Sequence, residues 1–165
     1  MGDPARAPWP WVIRDLPPGW TIEDLQVVAQ AALAAFTGFS DNWCAEGSDA
    51  ALAALHARGH RDVRFCYGGC AVDPTHAYLA LQSPDPRWDG AILDPTIRQF
   101  IVSPDASVVQ RAQVSGYPRC PQVPTVAVVP PWHPFYRRLR YSPDPNVETL
   151  ADPRDPFFEI GRAHV

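Results

Sequence analysis

The sequence predicts an α+β domain in which N-terminal helices, including a central helix that carries Cys44, pack on an antiparallel β-sheet. The first observation behind this prediction is the placement of proline. The chain has 20 prolines, none between Pro18 and Pro74, and 15 from Pro74 onward. Helices tolerate proline only in the first turn, so the helices are expected mainly in residues 19–73. The second observation is a series of short apolar or alternating segments after residue 62, which is typical of strands. Helices followed by strands indicate this fold class.

The composition excludes several classes of protein. Of 165 residues, 46% are hydrophobic and 19% charged, as in a globular domain and unlike a disordered chain. The net charge of −4 argues against a general nucleic-acid-binding protein. No apolar run approaches the roughly 20 residues of a membrane span, and the N-terminus does not resemble a secretory signal. We expect one cytoplasmic domain over residues 1–165, with its core at about 20–130, while signal-independent export stays open.

The first helix is predicted to begin after Thr21. Thr21 is a good N-cap, and Asp24 occupies the position of the acidic partner in a capping box. Thr37-Gly38 is expected to end this helix. Between these two ends, seven apolar residues share one face at helical spacing and are expected to be buried: Ile22, Leu25, Val28, Ala29, Ala32, Leu33 and Phe36.

A second helix is predicted from about Cys44 to Ala57. It is rich in small residues, which suits a central helix that strands approach closely. Ala45, Leu52 and Leu55 are expected among its buried side chains. Gly59 is a plausible C-terminal stop, because glycine readily adopts the left-handed conformation found there.

The second half of the chain is predicted to form strands separated by turns rich in proline and glycine. A short helix is also considered at Pro134–Leu139, and the tail at 142–165, which is rich in proline and aspartate, is expected on the surface. The predicted strands are Val63–Tyr67, His76–Gln82, Ala91–Asp94, Gln99–Val102 and Thr125–Val129.

Three residues suit a thiol nucleophile, its base and the group that orients the base. A free cysteine has a pKa of about 8.5, so a nucleophilic thiol must be helped to ionise. Cys44 opens a predicted helix, whose positive end favours the thiolate, as does a neighbouring imidazolium. His76 begins a predicted strand, and Asp94 closes the next, so Asp94 could reach the far ring nitrogen of His76. A carboxylate there would hold the imidazole in one tautomer.

These residues stand in an ordered set of motifs that resembles the transglutaminase-like core of the papain-like cysteine protease superfamily. In that core a cysteine opens a helix that ends at a glycine, a His-Ala-aromatic motif follows on a strand, and an Asp-Pro-Thr motif on the next. The resemblance covers about residues 41–100. It is carried by Asn42-Trp43-Cys44-Ala45-Glu46-Gly47-Ser48, by Gly59-His60-Arg61-Asp62-Val63-Arg64, by His76-Ala77-Tyr78-Leu79 and by Ile92-Leu93-Asp94-Pro95-Thr96.

The resemblance implies a Cys-His-Asp triad with Cys44 as nucleophile, His76 as base and then acid, and Asp94 as orienting group. It implies a thioester intermediate and no cofactor or metal. The reaction would be amide hydrolysis, by a peptidase, amidase or deamidase, or amide-forming acyl transfer. The acyl substrate would be a small molecule, a peptide or a protein, and a carrier or partner protein that delivers it stays open.

The oxyanion and substrate contacts are less defined. The backbone N–H of Cys44 is the first oxyanion donor expected at a helix start. Asn42 and Trp43 are candidates for the second donor because they are adjacent, although many relatives have glycine where this chain has Trp43. Gln99 is a candidate substrate contact because it follows the Asp-Pro-Thr motif.

Two other functions stay open from the sequence. The chain could be a non-catalytic binding module that keeps this fold. It could also be a zinc-stabilised domain, since Cys66 and Cys70 precede His76, and Cys120 and His133 follow. The spacing does not match a paired zinc knuckle. Reduced thiols are expected in a cytoplasmic protein with only four cysteines.

Overall fold

The computed structural model describes residues 16–36, 43–117 and 126–137, and within these ranges the chain is mixed helix and sheet. The coarse prediction of an α+β domain is confirmed. The helices are α1 (Ile22–Ala34), α2 (Trp43–Ala57), α3 (Arg98–Ile101) and α4 (Ala106–Val114), and the strands are β1 (Val63–Tyr67), β2 (Ala77–Leu81), β3 (Ile92–Asp94) and β4 (Ala127–Val129).

Helix α1 begins as predicted. The Thr21 hydroxyl accepts a hydrogen bond from the Asp24 N–H, and the Asp24 carboxylate accepts one from the Thr21 N–H at 2.8 Å. This capping box satisfies N–H groups that the first helical turn leaves without partners. The helix ends at Ala34, and the predicted stop at Thr37-Gly38 lies outside the described residues. Leu33, expected in the core, is instead 67% exposed.

Helix α2 also agrees with its predicted bounds. It ends at Ala57, and Gly59 follows with a φ of +93°, in the left-handed region that glycine adopts without strain. The His60 N–H then donates to the Leu55 carbonyl at 3.0 Å. Leu55 is fully buried, whereas Ala45 and Leu52 are only half-buried.

The four strands form one antiparallel sheet in the order β1-β2-β3-β4. Strand β1 matches its prediction, β2 is shorter than predicted by one residue at each end, and β3 begins one residue later than predicted and ends at Asp94 as expected. Strand β4 begins at Ala127, and the predicted start of this strand at Thr125 lies outside the described residues. Sequential antiparallel pairing places the end of β3 beside the start of β2, which is where the proposed histidine and aspartate stand.

The predicted strand Gln99–Val102 is wrong, because Arg98–Ile101 form helix α3. Helix α4 was not predicted at all, since helices were expected mainly before residue 74. The stretch between Pro104 and Pro118 is free of proline and long enough for a helix. Asp105 caps it by accepting a hydrogen bond from the Ser107 N–H at 2.9 Å. The capping aspartate was the available signal.

The helix considered at Pro134–Leu139 is wrong over its described part, and residues 138–139 lie outside the described ranges. Tyr136 pairs with Cys70 in an isolated antiparallel bridge. The Ala71 N–H donates to the Phe135 carbonyl at 2.8 Å, and the Arg137 N–H donates to the Gly69 carbonyl at 2.8 Å. Extended pairing of this kind commits backbone groups that a helix would need.

The sheet is covered on both faces. Side chains alternate along each strand, and the two sets enter different clusters. The first cluster packs against α1 and α2 and includes Leu25, Val28, Leu55, Val63, Leu79, Leu93 and Val128. The second cluster is rich in aromatic residues and includes Cys66, Tyr78, Ile92, Phe100, Tyr117, Phe135 and Tyr136.

No helix among the described residues is both long enough and apolar enough to cross a membrane.

Candidate functional site

Cys44 is the second residue of α2 and is only 3% exposed. Two hydrogen bonds fix this end of the helix. The Trp43 indole N–H donates to the Ala32 carbonyl of α1 at 3.0 Å, and the Ser48 hydroxyl, one turn after Cys44, lies 3.4 Å from the Ala77 carbonyl at the start of β2. Ser48 thereby ties the helix start to the chain immediately after His76.

Gly47 allows α2 to approach the turn after β3. A Cβ atom at Gly47 would lie 2.7 Å from the Thr96 methyl carbon and 3.2 Å from the Trp43 indole nitrogen. Thr96 is fully buried and stands two residues after Asp94. Because Gly47 has no side chain, the start of α2 can lie close to Thr96 and so to Asp94.

His76 and Asp94 form a buried pair. His76 Nε2 lies 2.8 Å from Asp94 Oδ2, and neither side chain is exposed. The other ring nitrogen, Nδ1, is buried and meets no partner at ordinary hydrogen-bonding geometry. The Cys44 thiol nevertheless lies close enough to the ring to act as a looser hydrogen-bonding partner. Since Nε2 is bound to Asp94, Nδ1 is the nitrogen left for the thiol.

The surroundings of His76 favour its charged form. Burial opposes the charge and by itself would lower the pKa of the imidazole. The negative charge of Asp94, the hydrogen bond to that carboxylate and the Cys44 thiol act in the other direction, and the net result is a pKa well above the ordinary value. The ring is therefore poised as an imidazolium between a carboxylate and a thiol.

Three hydrogen-bond donors from Tyr136 and Thr96 hold the Asp94 carboxylate, in addition to His76. The Tyr136 hydroxyl donates to Asp94 Oδ2 at 2.9 Å. The Thr96 N–H donates to Oδ1 at 3.1 Å, and the Thr96 hydroxyl lies 3.4 Å from the same oxygen. Gln99 in turn donates its side-chain N–H to the Thr96 hydroxyl at 2.9 Å. Buried carboxylates need such donors, because an unpaired buried charge is costly.

Aromatic rings enclose the imidazole. Phe100 of α3 meets His76 edge to face, with ring centroids 4.8 Å apart, and Tyr78 lies 5.8 Å away. The Tyr78 hydroxyl donates to the Arg137 carbonyl at 2.7 Å. This hydroxyl occupies the place that a Cβ atom at Gly68 would take. The rings exclude water from the His76–Asp94 pair, which strengthens its electrostatic interactions.

The structure thus brings together the three residues predicted as a triad. Of the other predicted site residues, Trp43 adjoins Cys44, but its indole N–H is committed to Ala32. Gln99 holds Thr96 and supports Asp94. Asn42 lies outside the described residues.

Cys70 is the second thiol near the site. It is almost fully buried, accepts a hydrogen bond from the Asp73 N–H at 3.2 Å, and interacts electrostatically with His76. Burial raises the pKa of the Cys70 thiol, and the charge of Asp94 adds to this, although His76 and two backbone groups oppose it. Cys44, Cys66 and Cys70 form no disulfide.

Within the described ranges, no group of three or more histidine, cysteine and acidic side chains is arranged to hold a metal ion. Cys120, which the zinc alternative includes, lies outside these ranges. His133 uses both ring nitrogens, since Nε2 lies 3.1 Å from the Gly116 carbonyl and Nδ1 accepts from the Phe135 N–H at 3.3 Å.

Comparisons with protein-family models, with curated proteins and with solved structures found no match to this chain. The function of this chain is therefore inferred from its own residues and their geometry.

Sequence reasoning missed two residues of the site. Tyr136 donates directly to Asp94, and the Tyr117 hydroxyl lies 2.6 Å from that of Tyr136. The cluster Trp132-His133-Pro134-Phe135-Tyr136 is visible in the sequence, but nothing in its pattern distinguishes a site residue from core packing. No spacing rule connects Tyr136 to an aspartate 42 residues earlier, so the contact needed the fold to be known.

Proposed function

We propose that this protein is a cysteine-dependent acyl-transfer enzyme of the transglutaminase-like class, acting on an amide or thioester carbonyl. The observation that carries the proposal is the His76 ring. Its Nε2 is bound to the buried Asp94 carboxylate, and its Nδ1 is left for a thiol at the start of a helix. A buried polar atom with no ordinary partner is rare and calls for a functional explanation.

In the first half of the reaction, the Cys44 thiolate attacks the carbonyl carbon and its lone pair forms the C–S bond. Negative charge develops on the carbonyl oxygen, near the N-terminal N–H groups of α2, which α-helical geometry leaves without partners in the helix. When the tetrahedral intermediate collapses, the C–N or C–S bond of the substrate breaks. The His76 imidazolium gives its Nδ1 proton to the leaving group, and a thioester on Cys44 remains.

In the second half, the neutral imidazole takes a proton from water or from an amine, which attacks the thioester carbonyl. Collapse of the second intermediate releases Cys44 as a thiolate and restores the imidazolium. Water gives a carboxylic acid, as in an amidase, peptidase or deamidase, and an amine gives a new amide. The scheme uses only side chains and backbone N–H groups of this chain and calls for no cofactor or metal.

Access to the sulfur favours slender substrates. Cys44 is 3% exposed, and His76 and Asp94 are fully buried. A carbonyl group can reach such a thiol on a small molecule or on an extended peptide segment more easily than on a rigid protein surface. Near-attack contact requires the reacting atoms to come within about 3.5 Å.

The first test is the pH dependence of iodoacetamide alkylation, followed by intact mass and peptide mapping. At about pH 6, an ordinary thiol is almost entirely protonated and reacts slowly, whereas a thiolate paired with an imidazolium reacts fast. We expect one fast site, lost in Cys44→Ala and slowed in His76→Ala, and retained in the matched variant Cys70→Ser. Circular dichroism should show that all three variants stay folded.

The second test is trapping of the acyl-enzyme with a panel of activated amides and thioesters. A mass increase that equals the acyl group and maps to Cys44 would support the proposal. Slow alkylation of Cys44 together with no acyl adduct would overturn it and favour the binding module. Full turnover in His76→Ala would contradict the mechanism even if Cys44 is acylated.

A further inference from the structure

The direction of two hydrogen bonds connects Asp94 to a pair of buried tyrosines. Tyr136 donates its single hydroxyl proton to Asp94 Oδ2 at 2.9 Å. It therefore has no proton left for Tyr117, whose hydroxyl oxygen is 2.6 Å away. Tyr117 must donate to Tyr136, and the two phenols form a chain that points toward the carboxylate.

Both phenols remain donors over the usual pH range. Burial raises the pKa of each well above its ordinary value, and the charge of Asp94 raises it further. Tyr136 is also fixed in place. Its backbone pairs with Cys70, and its ring packs against Phe135 with centroids 5.1 Å apart.

We propose that Tyr117 and Tyr136 are positioning residues that share the charge of Asp94 and thereby limit how tightly the carboxylate holds the proton of His76. Asp94 Oδ2 accepts from both His76 Nε2 and Tyr136, so the two donors compete for the same oxygen. A carboxylate without this phenol would bind the imidazolium more strongly. The resulting ring would be a worse acid for the leaving group. The proposal deepens the proposed function and rests on it.

The test is titration of His76 by NMR in the full chain, with the His76 signals assigned by their loss in His76→Gln. The groups that face this ring are Cys44, Cys70, Asp94, Tyr78 and Tyr136. In Tyr136→Phe, which keeps the ring and its packing, the midpoint should rise by on the order of one pH unit. In Tyr117→Phe it should rise by less.

Tyr78→Phe is the matched control, because this phenol also lies beside His76 but donates to the Arg137 carbonyl. Its midpoint should stay at the wild-type value. Equal midpoints in wild type and both tyrosine variants would overturn the proposal, since a merely structural pair would change stability alone. The readout does not use turnover, so a failure of the proposed enzyme activity is seen separately, in the alkylation and acylation tests.

A different observation points to the chemistry of the substrate. A groove of about 120 Å³ lies between α1 and the turn after β3, lined by Ala29, Gln30, Leu33, Trp43, Pro95 and Arg98. Trp43 is the neighbour of Cys44 in the chain, and Pro95 is the neighbour of Asp94. Chain neighbours of the proposed nucleophile and of the proposed orienting group therefore both line the groove.

The residues that line the groove are mostly apolar, apart from the amide of Gln30 and the cationic side chain of Arg98. Leu33 is 67% exposed, whereas Leu25 and Val28 of the same helix are fully buried. Arg98 is the charged residue of the lining, no acidic residue lines the groove, and no described acidic side chain pairs with it. Apolar walls with a few well-placed polar groups are typical of small-ligand sites.

From this groove we infer that the acyl donor carries an apolar group and, close to it, a carboxylate that Arg98 binds. The inference rests on the proposed function. Arginine suits this role because its guanidinium stays charged and matches the two oxygens of a carboxylate.

Two alkylating agents that differ only in a carboxylate test the inference, 4-(iodoacetamido)benzoate and N-phenyliodoacetamide. In Arg98→Gln, the rate of Cys44 alkylation by the benzoate should fall about threefold, as expected for a partly exposed ion pair, while the rate with the phenyl compound stays the same. Leu33→Asn should slow Cys44 alkylation by both reagents, because it removes an apolar side chain from the groove. The matched control Arg64→Gln, at an exposed arginine of β1, should change neither.

An unchanged ratio of the two rates in Arg98→Gln would overturn the carboxylate site, even when Cys44 labels rapidly. Failure of every reagent to label Cys44 in the wild type would instead count against the proposed function.

Discussion

At the scale of single residues, Asp94 decides the charge of His76. Burial alone disfavours the imidazolium, and the negative charge of Asp94 is the strongest influence that opposes it. We expect Asp94→Asn, which keeps the size of the side chain, to leave His76 neutral. Cys44 would then lose its cationic neighbour, and its alkylation rate at about pH 6 should fall at least tenfold. The rates are measured by intact mass.

Thr96→Val provides the comparison for this variant. It removes one hydroxyl contact to Asp94 and leaves the charge and the backbone N–H donor in place. Its alkylation rate should fall less than that of Asp94→Asn. Similar decreases in the alkylation rate of the two variants would show that the orientation of the Asp94 carboxylate, and not its charge, controls the reactivity of the Cys44 thiol.

His133 gives a residue-scale prediction about pH and stability. Burial lowers the pKa of His133 to about 4, although its hydrogen bond to the Gly116 carbonyl opposes this. In the unfolded chain a histidine titrates near pH 6.5. Between these values the unfolded state binds more protons, so the free energy of unfolding should fall as the pH falls from about 6.5 to 4. The contribution of His133 is at most about 3 kcal/mol.

Urea unfolding at a series of pH values checks this prediction. His133→Gln should lose less stability than the wild type across the same window, because glutamine does not titrate. His56→Gln serves as the control, since it removes a half-buried histidine from another part of the fold. An identical pH dependence in wild type and His133→Gln would contradict the prediction.

At the scale of elements, the close contact of α2 with Thr96 makes Gly47→Ala informative. Helix propensity alone predicts that alanine in a helix interior stabilises by about 1 kcal/mol relative to glycine. A Cβ atom here would stand 2.7 Å from a methyl carbon of the fully buried Thr96. We expect the clash to outweigh the propensity, so the free energy of unfolding should fall and Cys44 alkylation should slow.

Ala50→Gly is the matched change on α2. Ala50 is half-buried and one turn further along the helix, so its loss should cost about 1 kcal/mol without slowing Cys44. A Gly47→Ala protein that is more stable than the wild type and equally reactive would show that the helix start need not approach Thr96.

The elements also show what the sequence could and could not predict. Helices α1 and α2 and strand β1 were predictable, because capping residues, a stop glycine and periodicity act locally. The strand predicted at Gln99–Val102 failed because a run of only three apolar residues after Gln99 fits either state, and the turn at Asp94-Pro95-Thr96 leads into a helix. Cys44, His76 and Asp94 were identifiable as an ordered set. Tyr117 and Tyr136 were not, since only tertiary pairing brings them to Asp94.

At the scale of the whole molecule, the site lies where two buried clusters meet. Cys44 is on the helix that packs over one face of the sheet, while His76, Asp94 and Tyr136 adjoin the aromatic cluster of the other face. The geometry of the site should therefore depend on both clusters, but the charge network should depend on the aromatic one. Phe135 is fully buried and packs against Phe100, Tyr117 and Tyr136.

Two cavity-forming variants separate these contributions. Leu25→Ala in the first cluster and Phe135→Ala in the second should each lower the free energy of unfolding by about 2–5 kcal/mol, as large-to-small changes in a core do. Under conditions where both proteins are folded, only Phe135→Ala should raise the titration midpoint of His76, because it releases Tyr136 and with it the donor to Asp94. Urea unfolding and NMR titration of the same samples give both quantities. Equal midpoints in the two variants would mean that the aromatic cluster has no separate part in setting the charge balance between His76 and Asp94.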